Sequence, residues 1–156
     1  MKIKVAWIGK TKESAIQSLT DEYLKRISHY AAVEALPLKD EAQLLSLAGS
    51  PAHKKTSTSR STSKDRHKLV LLDSQGKQLS SEDLAQFLER ESLNAVPLLF
   101  AIGGSDGFSK EARHLATSTI SLGKMTFSHE LARVILLEQL YRAFTILSKH
   151  PYHLGH

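Results

Sequence analysis

The chain has 156 residues, 41% of them hydrophobic, enough to bury one sizeable core, so a single domain is expected. Its 21 Lys and Arg against 16 Asp and Glu give a formal charge of +5, and six of those cations (Lys54, Lys55, Arg60, Lys64, Arg66, Lys68) lie against one acid between Gly49 and Lys68; outside that segment 15 basic and 15 acidic residues cancel. Cysteine is absent, which excludes a disulfide framework and any thiolate metal site.

Ile3, Val5 and Trp7 recur with period two and predict a first strand that ends at Gly9. Ile16, Leu19, Tyr23 and Ile27 then recur at spacings of three and four, one apolar stripe of a helix. Val33 to Leu38 reads as an edge strand, because Pro37 cannot donate to a ladder. A short helix over Glu41 to Ala48 stops at Gly49. The segment 49–68 that follows is basic, Ser/Thr-rich and nearly devoid of apolar residues, so it cannot offset the entropy of ordering. It is expected to be a mobile loop, either a solvated insertion or an arm that touches phosphates.

Leu69 to Leu72 is an unbroken apolar run suited to a strand buried on both faces, and Ser74 to Lys77 reads as a turn. Ser80 with Asp83 resembles a capping box and starts a helix carrying Leu84, Phe87, Leu88 and Leu93. Val96 to Ile102 is the next buried strand, then comes GGSDGF (103–108), a helix capped by Ser109, a strand over Thr119 to Leu122, a turn at Gly123 to Phe127, and a final helix from Ser128 to Ser148. Strands alternating with helices imply an α/β fold with a mostly parallel sheet and helices on both faces.

That final helix holds the most hydrophobic window, Leu131 to Leu147, but Arg133, Glu138, Gln139 and Arg142 interrupt it, and the apolar run at the N-terminus is too short for a signal peptide. A soluble cytoplasmic protein without a membrane or metal partner is expected. The helix is apolar almost all round, so a second subunit is expected to supply part of its cover. Glu138, Arg142 and Lys149 fall on one stripe, with Glu138 and Arg142 an i, i+4 pair that is either structural or positions a substrate oxygen.

In open parallel sheets, ligands lie outside the carboxyl ends of the strands. Leu72-Asp73, Gly103-Gly104 and Leu122 to Phe127 all fall there, and together they predict a small-molecule pocket. GGSDG also matches GxSxG, which makes a serine hydrolase with Ser105 as nucleophile, and His129, His150 or His153 as base, a rival reading. A non-enzymatic RNA-binding module built on the basic loop is a third.

The runs IGGSDGF, SLGKMTFSHELARVILLEQLYRAFTI and HPYH, together with LVLLDSQGKQLSSEDLAQFL and the N-terminal strand and helix, resemble the ribosomal RNA large-subunit methyltransferase H family of the SPOUT superfamily, over the whole chain except the Ser/Thr-rich loop. The resemblance implies a single SPOUT domain over 1–156 with a C-terminal trefoil knot, working as a homodimer. It implies methyl transfer from S-adenosylmethionine to N3 of a pseudouridine of 23S rRNA in the assembled ribosome. By position, Leu72, Gly103, Leu122, Gly123, Lys124, Met125, Thr126 and Phe127 would hold the cofactor. Arg142, Tyr152 and His153 would face the RNA, partly across the dimer interface. The N3 proton needs a base or an ordered water, and His153, Glu138 and His129 qualify by residue type. Ser128 stands where that family commonly has proline, and Leu154 where it usually has a basic residue.

Overall fold

The computed structural model describes residues 1–49 and 67–155, with the side chain of His153 outside the described set. Five strands, β1 (Lys2–Ile8), β2 (Ala32–Leu38), β3 (Lys68–Gln78), β4 (Leu98–Ile102) and β5 (Ser118–Ser121), form one sheet in the order β2-β1-β4-β3-β5, and every pairing is parallel. Five helices cover it: α1 (Ser14–Ser28), α2 (Glu41–Leu47), α3 (Ser81–Ser92), α4 (Lys110–Leu115) and α5 (His129–Leu147); a 3-10 turn, Pro151–Gly155, closes the chain. The predicted α/β architecture with two covered faces is therefore what the sequence builds.

Register makes the two faces. Ile3 pairs with Leu98, Val5 with Phe100 and Trp7 with Ile102, and these side chains pack with Val70 beneath α1, α3 and α5. Leu69 pairs with Leu99 and Leu71 with Ala101, facing α2 and α4 through Leu44, Leu45 and Ala112. All five residues of β4 are buried, which is the pattern of a central parallel strand. Among the described residues no helix is long and apolar enough to cross a membrane.

Helix α5 lies between α1 and α3 over the middle of the sheet. Leu136, Leu137 and Leu140 are at most 1% exposed, and each such leucine contributes ~2 kcal/mol on burial. The chain itself thus supplies most of the cover this helix needs, and Leu131 and Leu147, 41% and 37% exposed, are its uncovered apolar residues. Ser128 accepts a hydrogen bond from the Leu131 N–H and caps the helix, so the serine at this position does local work that proline could not.

Several local readings change. The stripe of α1 runs through Ile16, Thr20, Tyr23 and Ile27, while Leu19 is 44% exposed; Thr20 is buried because its hydroxyl donates to the Ile16 carbonyl at 2.7 Å and leaves no polar group unpaired. Leu93 caps α3 from outside and is exposed. Lys149 has φ 56 beyond the end of α5, so it leaves the stripe of Glu138 and Arg142. The capping box of α3 is present: Ser80 and Asp83 exchange side-chain and backbone hydrogen bonds, and the Ser80 N–H holds the Asp83 carboxyl below its ordinary range. Of the predicted basic loop, residues 50–66 lie outside the described ones, whereas Lys68 opens β3 and pairs with Glu91 at 2.6 Å.

The predicted turn at Ser74 to Lys77 is instead an irregularity inside β3. Asp73 Oδ1 accepts the Gln75 N–H at 2.9 Å, the ladder with β5 breaks after Leu72↔Ile120, and it resumes at Lys77↔Ile120. Gly76 comes so close to β5 that a Cβ there would meet the Ile120 carbonyl carbon at 2.6 Å. Backbone cannot yield as a side-chain tip can. Gly76→Ala should therefore destabilise the fold by roughly 2 kcal/mol or more, read as a lower denaturant midpoint with an unchanged slope.

Candidate active site

The irregularity inside β3 and the loops leaving β4 and β5 enclose a cleft of about 470 Å³. Leu72, Gly103, Leu122, Gly123, Met125, Thr126 and Phe127 all line it; Lys124 does not, its neighbours turning inward around it. His129, a candidate base from sequence, borders the cleft on the first turn of α5, whereas the sequence reading missed other walls: Ile102 and Phe108, Ser121 at the end of β5, and Ala132. A burial pattern could have suggested Ile102 and Ala132. The others follow only from how the loops fold back.

Each loop is fixed by a specific contact. Gly123 has φ 131, open to glycine, and its N–H donates to Ser121 Oγ at 3.1 Å while the same hydroxyl donates to the Gly123 carbonyl at 2.9 Å. Arg113 of α4 reaches back to both other loops: Nη2 pairs with Asp73 Oδ2 at 2.7 Å and Nε donates to the Phe108 carbonyl at 3.4 Å. The Asp73 side chain is only 8% exposed, so this is the more sheltered partner of the pair. Arg113 braces the cleft without lining it.

Ser105 borders the cleft but is not placed as a nucleophile. It is exposed in a turn that the Gly107 N–H closes onto the Gly104 carbonyl at 3.1 Å, and the next helix starts only at Lys110 after its cap Ser109. A nucleophile elbow requires the serine at the strand-to-helix junction itself. His150 accepts the Tyr152 N–H through Nδ1 at 3.2 Å, near the closing turn.

A second polar group gathers further along α5. Glu138 Oε1 accepts Arg142 Nε at 3.1 Å, Arg142 Nη2 at 2.8 Å and the Tyr152 hydroxyl at 3.2 Å, and Oε2 accepts Gln139 Nε2 at 2.6 Å. The Arg142 guanidinium lies 5.1 Å from the Tyr152 ring centre. Hydrogen bonding to Glu138 raises Arg142 further above its ordinary value. Three of the residues singled out from sequence, Glu138, Arg142 and Tyr152, are thus in mutual contact. They do not line the cleft: Arg142 is ten positions beyond Ala132, or ~15 Å along the axis.

Burial pushes the Tyr152 phenol up from 10.0 to about 12, with the Tyr23 hydroxyl and the Glu138 charge adding to it. The neutral, donating form is the one stabilised by folding. That stability is fully present below about pH 10 and is lost as pH rises toward 12. In a spectrophotometric titration, the difference between wild type and Tyr152→Phe should be one phenol ionising near pH 12.

Comparison with known proteins places the chain among relatives. Residues 1–153 match the family model described as predicted SPOUT methyltransferase. A ribosomal RNA large subunit methyltransferase H from Koribacter versatilis is 54% identical, covering 100% of both chains, and one from Geobacter sulfurreducens is 42% identical over 98% of this chain and 99% of its own. In fold, the chain is similar to the SpoU methyltransferase AviRb from Streptomyces viridochromogenes, solved in complex with AdoMet, at TM-score 0.52 and 16% identity; the match covers 90% of this chain and spans 57% of that one.

Proposed function

Because the chain belongs to the SPOUT methyltransferases and, within them, to the ribosomal RNA large subunit methyltransferase H family, we propose that it transfers a methyl group from S-adenosylmethionine to N3 of a pseudouridine in 23S rRNA, acting on the assembled ribosome in the cytoplasm. The observation that carries the reading is the cleft between the irregularity of β3 and the carboxyl ends of β4 and β5. Its chemistry fits this cofactor: Leu72, Ile102, Leu122 and Phe108 offer an apolar floor for a purine, and backbone groups at Gly103 and along Leu122 to Phe127 offer polar edges. The bound cofactor would supply a methyl group already activated on sulfonium.

The chain's own part is to align and to exclude. Transfer of an activated methyl is accelerated chiefly by holding the nucleophile in line, and a cleft whose loops are pinned by Ser121 and Arg113 holds one partner still. Arg142 and Tyr152 would hold the other, the base to be methylated. Glu138, with every hydrogen bond above already directed at it, orients Arg142 and Tyr152 rather than taking a proton. Of the base candidates, His129 borders the cleft; for His153, the side chain lies outside the described residues. The ~15 Å between cleft and Arg142 supports a homodimer in which one protomer's Arg142 group serves its partner's cleft. The path of α5 back over β4 after edge strand β5 is the passage that would thread the trefoil knot.

Titration should show one S-adenosylmethionine per chain. Arg142→Ala should keep that affinity while kcat/KM on ribosomal particles falls roughly tenfold to a hundredfold, the worth of one charge-assisted contact; loss of cofactor binding instead would move Arg142 to the cofactor. Gly103→Val should abolish cofactor binding, because a Cβ at 103 meets Phe108 at 3.3 Å and Gly107 at 3.4 Å and forces the β4 loop into the cleft. Mixing the two impaired variants tests the shared site. Random re-pairing leaves one intact cleft-and-Arg142 combination in half of the dimers, so about a quarter of wild-type activity should return. No recovery would confine each site to one chain.

A further inference from the structure

The cleft is almost free of formal charge. Among the described residues that line it, Asp73 is the single carboxylate and His129 the single titratable base; every other wall is apolar, hydroxylic or backbone. An isolated carboxylate there would attract cations. Asp73 is not isolated: Oδ1 accepts the Gln75 N–H at 2.9 Å, Oδ2 pairs with Arg113 Nη2 at 2.7 Å, and the side chain is 8% exposed. The guanidinium that cancels it is 41% exposed and stands outside the cleft, with Nε on the Phe108 carbonyl at 3.4 Å, so the negative charge sits in the wall and the positive one behind it.

We propose that this ion pair sets the cleft's choice between S-adenosylmethionine and its demethylated product, S-adenosylhomocysteine; the inference rests on the cofactor reading above and deepens it. The two molecules share the adenosine, the α-ammonium and the carboxylate. They differ by a methyl group and by one charge, since the sulfonium is cationic and the thioether left behind is neutral. A cleft of about 470 Å³ is roughly 8 Å across, so a sulfonium anywhere inside it would feel a free carboxylate at Asp73, an attraction of about tenfold in affinity for a partly screened pair. Arg113 removes most of that preference. The chain therefore holds spent product about as firmly as cofactor, and methylation slows as product accumulates unless another reaction consumes the thioether. Arg113 touches neither molecule; it is a positioning residue that acts through Asp73.

The test is calorimetric titration of the whole chain with each compound separately. Wild type should bind the two within about threefold of each other. Arg113→Gln opens no cavity at a partly exposed site but loosens both loops, so both affinities should fall; their ratio should also move about fivefold to tenfold toward S-adenosylmethionine at low salt, and by less at high salt. Asp73→Asn keeps an acceptor for the Gln75 N–H but leaves Arg113 uncancelled, and should move the ratio the other way. The double variant should return it to the wild-type value. Arg113→Lys, which has the charge without the fork, should keep the ratio even where both affinities fall. A brace alone changes both affinities by the same factor, so an unmoved ratio in Arg113→Gln and Asp73→Asn overturns the proposal, as does a wild type that already prefers S-adenosylmethionine by about tenfold or more. Binding of neither compound by wild type takes down the cofactor reading and the proposal with it, whereas binding of both with an unresponsive ratio takes down the proposal alone.

Discussion

The structure depends on β4 running parallel between β1 and β3 with all five residues buried. Parallel pairing on both sides sends the carboxyl ends of β4 and β5 to one edge, beside the break that starts in β3 after Leu72, so the three segments meet there without any further arrangement. The same pairing leaves β4 covered by α5 on one face and by α2 and α4 on the other. A polar residue within Leu98–Ile102 would have no water and no spare hydrogen-bond partner. The cleft is a consequence of that burial: its floor residue Ile102 is the last of the strand, where the backbone first reaches solvent.

What could be read from the sequence follows from how local the signal is. Periodicity, unbroken apolar runs and caps located the five strands and five helices of the described residues, because Ile3/Val5/Trp7 and Leu136/Leu137/Leu140 report burial directly. Caps at Ser80 and Ser109 were legible for the same reason: the donor and acceptor lie three residues apart. The turn expected at Ser74 to Lys77 failed because Gly and Ser there serve a break in register, set by the approach of Ile120 from another strand. Leu19 failed because burial around α1 is decided by where α5 lies, and α5 favours Thr20. Within the site, the backbone-lined loops were visible as glycine-bearing strand ends. The Arg113 brace was not, since nothing in sequence links Arg113 to Asp73.

Arg133 shows the same limit from the other side. In sequence it interrupts an apolar window, yet it is 1% exposed, lying 4.0 Å from the centre of the Trp7 ring with Nη1 donating to Thr11 at 2.8 Å. Burial lowers its guanidinium below the ordinary value, with the Glu130 charge opposing. Its Nε and the Trp7 Nε1 are buried without a partner among the described residues. Cation–π attraction of about 2 kcal/mol in a desolvated setting offsets only part of such a cost. What Arg133 secures is placement: together with the Lys12 N–H on Glu130, it ties the loop after β1 to the first turns of α5, so the helix that borders the cleft cannot tilt independently of the sheet.

Helix α5 then acts as a spacer between two kinds of chemistry. Its first turn, with His129 and Ala132, borders a cleft whose walls are mostly backbone and apolar groups; ten residues on, it carries a charged, hydrogen-bonded group able to hold a polar base. A rigid 19-residue helix cannot bend to bring the two together. In the proposed reading, methyl donor and acceptor must meet within bonding distance, so the acceptor-holding group of one copy has to face the donor-holding cleft of another.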